Sequence, residues 1–376
     1  MNHVPAAFCD HVCHILSMNA MEAAEELSGY YGKVAQVQIE NRVRYACGVE
    51  NGQQEGAHLR YVASNGKVIA PNKVKAVRKK FVRCVWILLM DSKEETVSRE
   101  LVRRFPYSQY NFVLYSPSIN AAWVDVALSI KRLITIAIMT NLNNDEDALK
   151  LFEKLVKGQK LFTLVLYVQY YDRPIMKVLK TLLRQGQFEQ LRLSNYYGEE
   201  WSGTPVLDLL RFWSKNSELL GGKNLMIDYW EEGVDQLEEF VLQRALAKDR
   251  ALKDAEIQKA LYFCSTMECD FTLLEPSTYK GRRVEIQDVL EVCSKEECEF
   301  IDKEYLHNHF TFIEPSRVYR FQEGQGAKRR RIYVSFECAD EEKQPVRGEL
   351  RLPARYSGLS DLSLLHNSRT VRLFFA

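Results

Sequence analysis

Apolar residues follow distinct rhythms along this chain. Over residues 81–255, short apolar runs suited to strands alternate with longer stretches whose apolar positions recur three and four residues apart, as on one face of a helix. The strands predicted are Val82–Met90, Tyr110–Tyr115, Leu133–Thr140, Phe162–Tyr170, Gln190–Asn195 and Asn224–Trp230. Between them Lys93–Arg104, Ala121–Arg132, Asp145–Lys157, Pro174–Gln185, Leu207–Leu220 and Val234–Lys248 predict helices. In the fourth of these, Ile175, Val178, Leu179, Leu182 and Leu183 mark one apolar face.

The strands share a signature. Ile134-Thr135-Ile136, Leu164-Val165-Leu166, Leu191-Arg192-Leu193 and Leu225-Met226-Ile227 all read apolar-x-apolar. In a strand the flanking residues point to one side and the middle residue to the other. The anchors Phe112, Ile134, Leu164, Leu191 and Leu225 recur at spacings of 22, 30, 27 and 34, the range of strand-plus-helix repeats. An ordinary doubly wound α/β domain predicts the same alternation. The shared signature favours a repeat array, in which each unit needs its neighbours to cover its apolar face.

Residues 1–45 read as helices. The first runs from about Pro5 to Leu16, and the second, Met21 to Ile39, is broken near Ser28-Gly29. Residues 46–80 are polar and rich in turns (Asn51-Gly52, Asn65-Gly66, Pro71-Asn72) and read as a linker with a small hairpin from Leu59 to Ile69. Residues 256–376 change character. Arg317–Gln322 and Arg330–Glu337 alternate with period two around Glu323-Gly324-Gln325-Gly326, a hairpin signal. CSTMECDF at 264–271 echoes CSKEECEF at 293–300. The expected architecture is α/β: a helical module over 1–45, a linker over 46–80, a strand–helix, leucine-rich-like repeat array over 81–255, and a mostly-β α+β domain over 256–376.

Composition narrows the functional classes. Of 376 residues 46% are hydrophobic and 27% charged, and the net charge is +1. That balance fits folded domains and gives no overall field toward nucleic acid or a membrane surface, so neither is an expected partner. The start of the chain lacks a charged leader with a long apolar core, and no apolar run is long enough to span a bilayer. Nine cysteines, an odd number spread thinly, suit reduced thiols and a cytoplasmic or nuclear location.

The chain carries no phosphate-cradling Gly-x4-Gly-Lys, no His-Glu-x-x-His and no Gly-x-Ser-x-Gly. No catalytic residue, cofactor or metal site is therefore expected. Cys264/Cys269 and Cys293/Cys298, with His307 and His309 nearby, read as core thiols, as do Cys9 and Cys13 beside His11 and His14. Two basic clusters, Lys73–Arg83 and Lys328–Arg331, read as solvated faces or as a polyanion patch. An enzyme on an α/β sheet would place a titratable cluster at the strand ends, where Asp172, Glu199, Glu200, Asp228 and Glu231 lie. No nucleophile–base pair accompanies them.

The outward strand residues are the better candidate. They include Tyr115 and Thr135, and above all Tyr167, Gln169, Arg192, Ser194, Tyr196, Asp228 and Trp230. Tyrosine, tryptophan and arginine are the types enriched at binding hot spots.

The first forty-odd residues resemble an F-box. Val4-Pro5 stands where that family has Leu-Pro; Phe8, Val12, Ile15 and Leu16 stand for the first helix, and Leu27, Tyr31, Val34 and Ile39 for later anchors. The order of parts, and stretches such as Arg331-Ile-Tyr-Val-Ser-Phe-Glu-Cys338, are similar to divergent F-box proteins expanded in roundworms. The resemblance implies that Val4, Pro5, Phe8, Val12, Ile15 and Leu16 dock a Skp-family adaptor, joining a cullin-RING ubiquitin ligase. The repeats or the C-terminal domain would then hold a protein substrate for ubiquitin-dependent degradation. Such a protein catalyses nothing itself; it raises the local concentration of substrate near the charged enzyme. A repeat-based scaffold without a ubiquitin role is the alternative, in which the apolar face of residues 5–16 packs on the array.

Overall fold

The computed structural model describes residues 4–16, 18–62, 68–69, 77–91, 96–115, 120–139, 146–167, 171–195, 203–247, 285–305, 310–324, 326, 329–338 and 352–376. Three helices open the chain: α1 (Ala6–Ile15), α2 (Met18–Glu25) and α3 (Tyr30–Asn41). The break between α2 and α3 falls at Gly29, whose φ of 90° suits a residue without a Cβ. Next come β1 (Val43–Glu50), β2 (Gln53–Tyr61) and β3 (Val68–Ile69). The stretch expected as a linker thus carries strands. The pairing of Leu59 with Ile69 is the small hairpin expected there.

The alternating part contains β4 (Val82–Leu89), α4 (Thr96–Arg104), β5 (Gln109–Leu114), α5 (Ala121–Ser129), β6 (Leu133–Ile138), α6 (Glu146–Lys157), β7 (Thr163–Leu166), α7 (Arg173–Leu183), β8 (Gln190–Ser194), α8 (Pro205–Leu220), β9 (Asn224–Asp228) and α9 (231–247). Helix starts have local causes. The side chain of Asn120 accepts from the Trp123 N–H at 2.7 Å, and that of Asp172 from the Ile175 N–H at 3.0 Å. Pro174 and Pro205 occupy the first turns of α7 and α8, where a missing N–H costs nothing.

The last part holds β10 (Glu291–Val292), α10 (Lys295–Tyr305), β11 (Thr311–Phe312), β12 (Tyr319–Glu323), β13 (Arg330–Phe336), β14 (Leu352–Pro353) and β15 (Thr370–Phe375). The expected hairpin is β12 paired antiparallel with β13. The echo between 264–271 and 293–300 cannot be compared, because its first copy lies outside the described residues.

The result is a mixed α/β architecture built on one large, mostly parallel sheet. Its order is β10-β12-β13-β15-β9-β8-β7-β6-β5-β4-β1-β2-β3. From β1 through β4 to β9 the neighbours are parallel and follow chain order with no reversal. Parallel crossovers are nearly always right-handed, and when they run in one direction without reversal they place their helices on one side of the sheet. Accordingly α5 meets α6, α6 meets α7 and α7 meets α8.

Register explains the apolar-x-apolar signature. Ile87, Phe112, Ile136, Leu164, Leu191, Leu225, Leu373 and Val334 are cross-strand neighbours in one unbroken row. A second row runs Leu89, Leu114, Ile138, Leu166, Leu193, Ile227, Val371 and Phe336. Both rows are buried, and with the helices they form one core that extends from Val43 to Phe375. Each such aliphatic side chain contributes about 1.5–3 kcal/mol on burial.

After the expected boundary at 255, β10, β12, β13 and β15 join this same sheet, β15 beside β9, while β11 and β14 pair in a separate two-stranded sheet. On its opposite face α10 closes a second, smaller core of Cys293, Cys298, Ile301, Phe312, Val318, Tyr333, Ala354 and Phe374. The helices α1–α3 close a third around Cys13, Ala24 and Ala35. Among the described residues no helix is long and apolar enough to cross a membrane.

Candidate interaction surfaces

Two surfaces stand out. The first is on the helical unit. Helix α1 turns Cys9 and Cys13 inward, one helical turn apart, and Cys13 meets Ala24 of α2 and Ala35 of α3. Small residues at that seam let the helices approach closely. The neighbouring side of α1 faces out: Val4 is 43% and Phe8 56% exposed, and Pro5 is exposed. Val12 and Leu16 are half-buried, Leu16 against the small core; the side chain of Ile15 lies outside the described set. Leu27, Tyr30 and Val37 add further exposed apolar side chains on the same unit. Its tethers to the sheet are polar. The Lys80 ammonium lies 3.6 Å from Asp10, and Arg42 Nη1 donates to the Leu16 carbonyl at 3.4 Å.

The second surface is the face of the parallel strands opposite the apolar rows. Trp86, Asn111, Thr135, Thr163, Gln190 and Asn224 are successive neighbours across it, a polar row that starts on an indole. Beside it run Leu88, Val113, Ala137, Val165, Arg192 and Met226. Strands lie about 4.8 Å apart, so side chains in a row partly cover one another. Asn111 and Thr135 are accordingly buried, whereas Trp86, Thr163, Gln190 and Arg192 stay half-buried. The far end is bounded by α10. There Glu189, Gln190, Gly222, Asn224, Glu304, Tyr305 and Phe310 line a cleft of about 310 Å³.

The residues expected on this face divide. Tyr167 and Arg192 are half-exposed and Tyr115 is exposed. Gln169 and Tyr196 lie outside the described residues. Ser194, Asp228 and Trp230 are buried, which corrects their place on an accessible surface. Ser194 and Asp228 do share one side of the sheet as register pairs, but Thr370 of β15 pairs with Asp228 and closes that side.

Trp230 fails for another reason. Tyr229 adopts a left-handed φ of 50°, which breaks the period of two. Tyr229 then points out at 43% exposure, and Trp230 enters the core at 3%. The aromatic pair had the right composition but the opposite assignment of inside and outside.

Asp228 forms the main electrostatic feature. Its carboxylate is fully buried, takes an ion pair from the Arg192 guanidinium, and accepts from Thr370 Oγ at 2.9 Å. Burial pushes its pKa above the ordinary carboxylate value, while Arg192 and Thr370 oppose that rise. The thiols behave as core groups: burial raises Cys298 to about 11 and Cys338 to about 12. Among the described residues no three His, Cys, Asp or Glu side chains are grouped to hold a metal. Cys264, Cys269, His307 and His309 lie outside the described residues.

The basic clusters resolve unequally. In the second, Arg330 pairs with Glu323 at 2.8 Å and Arg331 with Glu297 at 3.2 Å, so these are structural ions rather than a free patch. In the first, Arg78 and Lys79 are exposed but Arg83 is buried. No protein-family model matches the sequence, and no curated protein matches it either.

Proposed function

We propose that this protein is a substrate-recognition adaptor of a cullin-RING ubiquitin ligase. Its helical unit docks a Skp-family adaptor, and the open face of a leucine-rich-like strand–helix array holds a protein substrate. The observation that carries the reading is the exposure of Val4 and Phe8 on a unit that has already closed its own small core with Cys13, Ala24 and Ala35. A helix serving only as a cap on the array would turn its largest apolar side chains toward the array. Here α1 packs on α3 and leaves Phe8 in solvent. Apolar side chains left outside together in this way support the docking reading. For the array, unreversed strand order and unbroken apolar rows support stacked units that need one another for burial.

The test is capture from a eukaryotic lysate with wild type and with Val4→Asp/Phe8→Asp, followed by identification of adaptor and cullin. Both proteins should come down with the wild type and be lost with the variant. Their absence from both captures refutes the ligase reading and leaves a repeat-based scaffold.

A further inference from the structure

Arg83 is the second residue of β4 and belongs to a basic stretch that reads as solvated. It is instead 7% exposed. The cause is a bulge. Val43 of β1 pairs with Val82 and Arg44 pairs with Cys84, so Arg83 has no partner across that ladder. Bulges of this kind re-aim a side chain and recur beside functional sites.

What surrounds Arg83 is unusual. Among the described residues no carboxylate pairs with it, and the charges that act on it are those of Arg42 and Arg132, two further cations. Arg42 precedes β1, which adjoins β4, and Arg132 precedes β6, one strand beyond β5, but reaches back to Tyr107 just before β5, so the three arginines lie at the same end of the sheet. Burial and this like charge together lower the Arg83 pKa to about 10, which leaves it charged at neutral pH. The anchors of its neighbours are neutral: Arg132 Nη1 donates to the Tyr107 carbonyl at 2.8 Å, and Arg42 to that of Leu16. Asp10 is an acid of the adjoining helical unit, but it serves Lys80 and Gln38. Exposed Arg78 and Lys79 add positive charge on the approach to β4. A buried cation without a counter-charge is costly, and such groups are ordinarily paired.

We propose that Arg83, Arg42 and Arg132 form a binding site for a small free phosphate-class anion at the leading edge of β1, β4 and β6. Guanidinium forks match tetrahedral oxyanions bidentately, and three of them suit a multivalent one. Arg83 is mostly covered, which suits a compact anion better than an extended nucleic-acid backbone or a membrane surface. Arg42 joins α3 to β1 and reaches back to the end of α1, so the bound anion would fix the helical unit against the sheet. The site stands independently of adaptor docking.

The experiment uses the full chain and pyrophosphate as probe, by calorimetry and by thermal melting against sodium chloride of matched ionic strength. Wild type should bind saturably and melt higher as pyrophosphate increases. Arg83→Met should bind about tenfold more weakly or worse, and without pyrophosphate it should melt at or above wild type, because an unpaired buried cation has gone. The exposed Arg132→Gln should weaken binding in the same direction, and it decides the matter if Arg83→Met does not fold. Citrate serves as a carboxylate control of similar charge and should bind more weakly than pyrophosphate. No saturable effect on wild type, equal affinity in the variants, or equal affinity for citrate would each overturn the proposal.

Discussion

The Arg192–Asp228 pair makes the most direct prediction at the residue scale. Asp228 has no exposure, so its charged form depends on Arg192 and Thr370. Arg192→Ala should cost about 2 kcal/mol at neutral pH, below the usual range for breaking a buried pair because Arg192 is itself partly exposed. The Asp228 pKa is already raised by burial and would rise further without Arg192. The folded state then keeps a proton that the unfolded chain releases, so stability is fully present below the unfolded pKa and is lost as pH rises through the folded one. The deficit of Arg192→Ala should therefore shrink as pH falls toward the ordinary carboxylate range, as urea melts at several pH values would show. A deficit that does not change with pH would contradict this. Gly233 gives a second case. A Cβ there would meet the Trp230 ring at 2.6 and 2.8 Å, so Gly233→Ala should destabilise by about 1–3 kcal/mol, read as a lower midpoint in denaturant.

At the scale of elements, caps and period explain most of what was legible. Asp172 holds the first turn of α7, and Asp172→Ala should cost about 1 kcal/mol with little change in the cooperativity of melting. The six strand windows read from apolar-x-apolar runs each overlap a strand, since period two and a buried row enforce each other. Two local breaks of that period were not legible. The left-handed turn at Tyr229 exchanged the roles of Tyr229 and Trp230, and the bulge at Arg83 put a basic residue inside. Neither leaves a mark in residue type, because both arise from how neighbouring strands align. The strands β1 and β2 were hidden by the polar residues of 46–62, which occupy the exposed positions of a hairpin near the sheet's end. The apolar side of α1 was legible. Its cysteines read as core thiols and are buried, but that Phe8 would stay outside was not legible, because the choice depends on the small residues of α2 and α3.

For the whole molecule, the sheet ties distant parts of the sequence together. β15 lies between β9 and β13, so the last residues of the chain are interior to the sheet. Deleting 370–376 should abolish cooperative unfolding of the full chain, seen by circular dichroism in urea; an unchanged transition would mean that the parallel part of the sheet is complete without β15. This long-range pairing also explains why the period-two hairpin pattern reads as a separate domain after 255. The change from parallel to antiparallel strands changes the local pattern without interrupting the sheet. The helical unit sits at the other end as a small body with its own core, polar tethers and an uncovered apolar side.

The uncovered side of α1 is the proposed docking surface for a Skp-family adaptor. The measurement that tests it is a calorimetric titration of purified adaptor into the full chain, wild type against Val4→Asp/Phe8→Asp, with both melted in parallel. Binding by wild type, loss in the variant and equal melting of the two is the predicted result, since both side chains are exposed and contribute little to folding. No heat with wild type, or equal affinity in the variant, would contradict it.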